Sequence, residues 1–202
     1  MKFRTDSPFF QFVSTLTDFI VLNLIFLITC IPVITTGAAV TALYSVTLKE
    51  ARGEHGYFVR TYMNTFRESF KKSTIVFLIY FIIGSVLLFN IVFWLQIPGI
   101  TGNLFLILVT LLSLLYLVSA FYVFPLISRF ENSLLQTIKN SLLIGLSNRF
   151  CTIVLLLLSA VACILMYFFS SFRIFMLIFG FAFCAYCASF FFTKVFQKYE
   201  VH

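Results

Sequence analysis

Charged residues are scarce in this chain, and four long segments contain none at all. Asp, Glu, Lys and Arg make up 10% of the 202 residues, whereas a soluble domain carries about 25%. The uncharged segments are residues 73–96, 97–128, 151–172 and 174–193. A helix needs about 20 apolar residues to cross the roughly 30 Å hydrocarbon core of a bilayer. The sequence therefore predicts an integral membrane protein with no room for a sizeable soluble domain.

The residues on which most enzymes and metal sites depend are also few. His55 and His202 are the only histidines, and neither has a partner at ligand spacing. The sequence contains no glycine-rich phosphate-binding loop, no Ser/His/Asp constellation and no pair of carboxylates. We therefore expect neither enzyme activity nor a metal or cofactor.

The cysteines do not indicate a disulfide framework, because their number is odd and all lie within or beside apolar segments. They are Cys30, Cys151, Cys163, Cys184 and Cys187. Cys184 and Cys187 have the Cys-x-x-Cys spacing of redox proteins, in which a helix N-terminus lowers a thiol pKa. Here the pair lies in the middle of an apolar segment without a basic neighbour, which favours simple apolar packing.

The excess of basic residues indicates membrane orientation. The net charge is +7, but no basic face is interleaved with aromatics in a soluble module, so we expect no nucleic-acid partner. Lys and Arg instead collect on the cytoplasmic side of membrane proteins. Arg173 is the only basic residue in the turns at 97–103 and 170–173, whereas the other polar segments are rich in Lys and Arg.

Two interpretations of residues 8–52 are open. Pro32 disfavours helix at the residue before it, and Thr35 or Thr36 suits the start of a new helix. The segment is therefore either one crossing helix kinked at Pro32 or a hairpin of helices 8–31 and 36–52. The hairpin places 13 of the 14 basic residues on one side, so the positive-inside rule favours it. Both chain termini are then predicted to be cytoplasmic.

The predicted fold is all-α: a polytopic transmembrane helix bundle with five or six membrane-embedded helices plus cytoplasmic interfacial amphipathic helices, all in one membrane domain spanning 1–202. Phe58, Tyr62, Phe66 and Phe70 recur every four residues opposite cations, which is typical of a helix lying in the interface. The predicted membrane helices are 8–31, 36–52, 74–96, 104–127, 151–170 and 174–193, and the interfacial helices are 57–72 and 129–148.

Asp18 is the only acidic residue deep inside an apolar segment. Such a carboxylate is a candidate for proton or solute transport. In the hairpin, however, Asp18 would lie opposite Lys49 and Arg52, and an ion pair is the simpler interpretation. Asn23 and Asn90 are further polar residues in apolar segments, and we expect such residues to form interhelical hydrogen bonds or to lie in the interface.

Small residues recur at helical spacing in the predicted second helix. Gly37, Thr41 and Ser45 are four apart, as are Ala185 and Ser189 near the C-terminus. Faces of this kind let helix backbones approach closely in membranes. We expect both faces to be helix-packing surfaces.

Three motifs carry a family resemblance. They are Ile31-Pro32-Val33-Ile34-Thr35-Thr36-Gly37-Ala38, Arg52-Gly53-Glu54-His55-Gly56-Tyr57 and Phe66-Arg67-Glu68-Ser69-Phe70-Lys71-Lys72-Ser73. In these motifs the chain resembles the YesL-like family of bacterial membrane proteins, a domain of unknown function. Genes of that family often lie beside carbohydrate-uptake ABC transporters and polysaccharide-degrading enzymes. The resemblance implies a bacterial cell membrane protein with a role near sugar import. The resemblance supplies no catalytic residues. The first candidates for functional residues are the turn motif Pro32, Thr35 and Gly37 and the pair Arg52 and Glu54.

Three functions remain open at this point. The first is an accessory or regulatory component of carbohydrate uptake, whose partners are ABC transporter subunits, the bilayer and anionic lipid headgroups. The second is a transporter component that lines a solute pathway, which requires a polar cavity near Asp18, Asn23 or Asn90. The third, a membrane enzyme or lipid-binding protein, requires polar side chains clustered at one depth.

Overall fold

The computed structural model describes residues 8–54 and 56–200, and this part of the chain is helical without a β-strand. The all-α prediction is confirmed. Both chain ends, and with them the predicted cytoplasmic position of the termini, lie outside the described residues. The α-helices are α1 (Pro8–Cys30), α2 (Thr36–Ala51), α3 (Phe58–Leu95), α4 (Ile100–Arg129), α5 (Leu134–Ser147), α6 (Arg149–Phe168), α7 (Ser170–Phe175) and α8 (Phe181–Glu200).

Four helical segments are long and apolar enough to cross a membrane. They are α3, α4, α6 and the continuous stretch Ser170–Tyr199, which contains α7, a π-helical turn at Met176–Gly180 and most of α8. The segment Ser14–Cys30 of α1 is a shorter apolar helix, and α2 has only 16 residues. The chain is thus a multi-pass membrane protein with four full-length candidate spans and two shorter helices.

The surface of the spans is strongly apolar. Ile82 is 61% exposed and Phe89 is 71% exposed on α3, and Leu157 is 59% exposed on α6. Side chains of this kind are stable at a protein surface when hydrocarbon rather than water surrounds them. The exposed face of the bundle therefore supports contact with the lipid bilayer.

Residues 57–72 do not form a separate interfacial helix, and this part of the prediction was wrong. The predicted helix 57–72 and the predicted span 74–96 are one continuous helix, α3. No glycine or proline separates them, so nothing in the local sequence ends the helix. Tyr62 is buried as expected and Phe58 and Phe66 are half-buried, but Phe70 is 39% exposed.

α5 is a separate helix, and a capping box explains why it begins where it does. The Ser133 hydroxyl accepts the backbone N–H of Gln136 at 3.4 Å, and the Ser133 N–H donates to the Gln136 side chain at 3.2 Å. This exchange satisfies two backbone donors that a helix start leaves free. The helix is shorter than the predicted 129–148, because α4 continues to Arg129 and residues 130–133 form the connection.

α1 and α2 are two helices rather than one kinked span. A short 3₁₀ turn, Val33–Thr35, joins them. Both contribute to one core cluster, in which Phe19 and Leu22 of α1 meet Ala42 and Val46 of α2. The two-helix interpretation of residues 8–52 is therefore the one that the structure supports.

Candidate functional site

Asn23 is the most thoroughly bonded polar side chain of the predicted candidates. It is fully buried on α1. Its Nδ2 donates to the backbone oxygens of Met176 and Leu177 at 3.2 and 2.8 Å. Its Oδ1 accepts the backbone N–H of Ala182 at 3.0 Å. The side chain thus bonds both ends of the π-helical turn.

The π-helical turn explains why Asn23 is needed. A π-turn interrupts the regular bonding of an α-helix. In a membrane no water satisfies the backbone groups that are freed, so another side chain has to do so. Asn carries both donors and an acceptor in one short side chain. Asn23 is therefore a structural anchor between α1 and the last span.

Thr35 secures the turn between α1 and α2. Its Oγ1 lies 2.6 Å from the backbone oxygen of Thr29 and 2.7 Å from that of Pro32, so its single O–H can be donated to either. Pro32 precedes the 3₁₀ turn in extended geometry, with φ −75° and ψ 111°. The predicted turn motif therefore forms the turn that connects α1 to α2.

Gly37 permits the closest contact between two helices in this region. A Cβ atom at this position would lie 2.5 Å from the backbone oxygen of Ser73 and 2.6 Å from Cβ of Phe77. One turn later, the hydroxyls of Thr41 and Ser73 are hydrogen bonded at 2.9 Å. The small-residue face predicted from the sequence thus packs α2 against α3.

The Arg52-Gly53-Glu54 motif ends α2. Gly53 has a positive φ of 75°, which glycine adopts without steric cost. The N–H of Glu54 donates to Lys49 O at 3.0 Å, and the N–H of Gly53 donates to Glu50 O at 2.9 Å. These two bonds define a Schellman motif, the common glycine-dependent end of a helix.

The predicted ion pair of Asp18 with Lys49 or Arg52 is not formed, and this prediction was wrong. Arg52 instead pairs with Glu54, with 2.8 Å between Nε and Oε1. The Schellman turn brings Glu54 back beside Arg52, so the local partner replaces the distant one. Asp18 and Lys49 are both exposed.

Asn90 does not join the other candidates. Its Nδ2 donates to Val86 O at 2.9 Å, one turn back on the same helix. The expected interhelical bond is absent from the described residues, and the amide is bonded locally. The predicted candidates therefore fall into separate places: the π-turn anchor, the helix turn, the end of α2 and the surface.

Sequence reasoning missed a set of hydroxyl pairs between helices. Tyr80 of α3 is hydrogen bonded to Ser119 of α4, which is bonded in turn to Ser141 of α5 at 2.7 Å. Tyr122 of α4 is bonded to Thr152 of α6 at 2.9 Å. Single Ser, Thr and Tyr residues in apolar segments leave no spacing signal, so only the fold reveals these pairs.

An apolar cavity of about 280 Å³, partly open to the surface of the bundle, lies between α1, α2, α4, α6 and α8. Its lining includes Phe26, Leu43, Phe121, Leu158 and Phe181. Neither Asp18, Asn23 nor Asn90 lines it. Within the described residues, no three His, Cys, Asp or Glu side chains come together to form a metal site. The arrangement offers space for a hydrocarbon rather than for a polar solute or an ion.

These features define a multi-pass helical membrane protein in which several buried polar side chains connect the helices. Residues 19–91 match the model of a family described as "Protein of unknown function, DUF624". The matched region contains the turn motif, the Schellman motif and most of α3, and supports a relation to a family of unknown function. No curated protein and no solved structure matches the chain.

Proposed function

We propose that this protein is a non-enzymatic accessory or regulatory component of the bacterial cell membrane that binds another membrane protein. The resemblance to the YesL-like family in residues 31–38, 52–57 and 66–73 names the partner class as the subunits of a carbohydrate-uptake ABC transporter. The single observation that carries the proposal is an exposed face at the start of α3.

This face combines apolar and basic side chains. Tyr57 is 82% exposed, Val59 is 42% exposed and Met63 is 37% exposed. Arg60 lies among them and is also exposed. We call Tyr57, Val59, Arg60 and Met63 the α3 face. Aromatic, Met and Arg side chains are enriched in protein interfaces.

The length of α3 supports a position of this face outside the hydrocarbon core. α3 has 38 residues, whereas about 20 suffice for a crossing. All charged residues of α3 precede Ser73, so the uncharged part is the membrane span. The α3 face then lies at the cytoplasmic side by the positive-inside rule. Arg67 and Lys71 lie closer to the uncharged span than Arg60 does, and anionic lipid headgroups would bind them where α3 leaves the membrane.

The alternative, a transporter component lining a solute pathway, receives less support. It requires a polar cavity beside Asp18, Asn23 or Asn90. The amides of Asn23 and Asn90 are bonded to backbone groups, and the cavity within the bundle is apolar. An accessory protein requires no such pathway.

The test is crosslinking and affinity purification from native membranes with paired variants. Val59→Glu introduces a charge into the α3 face and should remove the co-purified partner. Tyr199→Glu is the matched control, because Tyr199 is also 42% exposed but lies at the end of α8. Recovery of the wild-type protein alone, or equal loss of the partner in both variants, would contradict the proposal.

A further inference from the structure

The apolar cavity has room for a hydrocarbon chain but offers little to water. The hydroxyl of Ser159, one of its few polar lining groups, already donates to Leu156 O at 2.8 Å. A buried water needs two to four polar partners, and an engineered apolar cavity of about 150 Å³ stays dry and binds benzene. The cavity described here, at about 280 Å³, is larger than that and lies among membrane-spanning helices. The cavity therefore has the size and the chemistry to take part of a lipid tail.

A single cation lies beside one end of this cavity. Arg173 is the only charged residue between Cys151 and Thr193. Its Nε donates to Met166 O at 2.7 Å and its Nη2 donates to Tyr167 O at 3.0 Å. Met166 itself lines the cavity, as does Met176 three residues after Arg173. The guanidinium is thus fixed at the end of α6, next to the lining.

No carboxylate that the structure describes forms an ion pair with Arg173. The sequence has no Asp or Glu between Glu131 and Glu200. The guanidinium is exposed, and the two carbonyls use only some of its five N–H groups. Arg binds phosphate through such paired N–H groups.

We propose that the cavity and Arg173 together form a binding site for one anionic phospholipid. One acyl chain occupies the apolar cavity, and the phosphate accepts hydrogen bonds from the free N–H groups of Arg173. The lipid belongs to the leaflet at the α6–α7 turn, opposite the membrane face at which Arg149 and Lys194 lie. An anionic headgroup is favoured over a zwitterionic one because no described carboxylate pairs with Arg173 and could bind a headgroup cation.

The first experiment measures lipid retention by the full-length protein. Protein solubilised with equal amounts of phosphatidylglycerol and phosphatidylcholine of the same chains is analysed by native mass spectrometry. We expect one phosphatidylglycerol to be retained in preference. Arg173→Gln should lower that retention about tenfold, the change expected for loss of one charge-assisted hydrogen bond. The control is Lys198→Gln, which removes an exposed cation at the C-terminal end of α8, away from Arg173. This substitution should leave the retention of phosphatidylglycerol unchanged.

A second pair of variants tests whether the apolar cavity binds the acyl chain of the lipid. Ala162→Phe places a ring in the cavity, because Ala162 lines it, and should lower retention of both lipids. Val161→Phe is the matched control, because Val161 is adjacent, 52% exposed and outside the lining. Equal retention in the wild type and Ala162→Phe, or equal loss in the two variants, would overturn the proposal.

A third measurement needs no variant and therefore does not depend on correct folding of one. Phosphatidylglycerol with a photoreactive group in its acyl chain is crosslinked to the wild-type protein. Adducts should map to the cavity lining, such as Leu158 and Met176, and unlabelled phosphatidylglycerol should compete them away more strongly than phosphatidylcholine. Adducts confined to outward-facing residues such as Ile82, with no competition by either lipid, would show that only bulk lipid binds.

Discussion

The Oδ1 atom of Asn23 accepts the backbone N–H of Ala182 at 3.0 Å, although the two residues lie 159 positions apart. This bond and the two bonds from Nδ2 fasten the first described helix to the last span. The surroundings are apolar on both sides, with Leu22 and Ala182 fully buried. A polar anchor in such surroundings fixes both position and register, because any shift leaves buried groups unpaired.

Replacement of Asn23 by Ala should therefore destabilise the protein strongly. The change leaves the carbonyls of Met176 and Leu177 and the N–H of Ala182 without their partner. We expect a loss of about 2–4 kcal/mol in the free energy of unfolding, since an unsatisfied buried group costs about 1–3 kcal/mol. The measurement is loss of helical circular dichroism during titration with a denaturing detergent.

Asn90→Ala is the control for this prediction. Asn90 makes only a local bond to Val86 O, so Asn90→Ala should lower the free energy of unfolding by no more than about 0.5 kcal/mol. Equal effects of the two substitutions would show that Asn23 is not an anchor.

Gly37→Ala should separate α2 from α3. The new Cβ would be 2.5 Å from a backbone oxygen of Ser73, which cannot rotate away as a side chain can. We expect a cost of about 1–3 kcal/mol, as is usual for overpacking. Gly56→Ala meets no atom within 4 Å and should be nearly neutral in the same titration. A neutral Gly37→Ala would mean that the two helices are not in tight contact.

Most helices could be predicted from the sequence because their signals are local. Long uncharged segments predict the spans, and Pro32 with the residues that follow it predicts the break between α1 and α2. The prediction failed at two boundaries. Nothing in the sequence marks an end to the helix before Ser73, and at the start of α5 the prediction began at 129 although Ser133 and Gln136 mark the true start.

The polar contacts could be predicted only in part. The face of Gly37, Thr41 and Ser45 was visible because its members share a helical spacing. The bonds of Asn23 were not visible, because their partners are backbone groups of a π-turn that only the folded chain brings near. The same holds for Tyr122 and Thr152, which are single polar residues in separate apolar segments.

The orientation of the spans remains a prediction, and single cysteines in a cysteine-free variant can test it. We expect Gln96→Cys, in the short turn after α3, to react from outside the cell with a membrane-impermeant maleimide. Lys139→Cys, on α5, should react only after the membrane is opened, because the basic residues collect inside. The opposite pattern would invert the topology and place the α3 face outside the cell.

The final prediction concerns which acidic residue stabilises Arg52. The structure pairs Arg52 with Glu54, with a further bond of 3.1 Å from Nη2 to Oε2. The Arg52 side chain is only 14% exposed but that of Glu54 is 56% exposed, so water screens the pair. A double-mutant cycle of Arg52→Gln and Glu54→Gln should therefore give a coupling of about 0.2–1 kcal/mol. A cycle of Arg52→Gln with Asp18→Asn should be additive within about 0.5 kcal/mol. A larger coupling to Asp18 than to Glu54 would mean that α1 and the end of α2 lie closer in the membrane than in this structure, and the distant ion pair would then be correct after all.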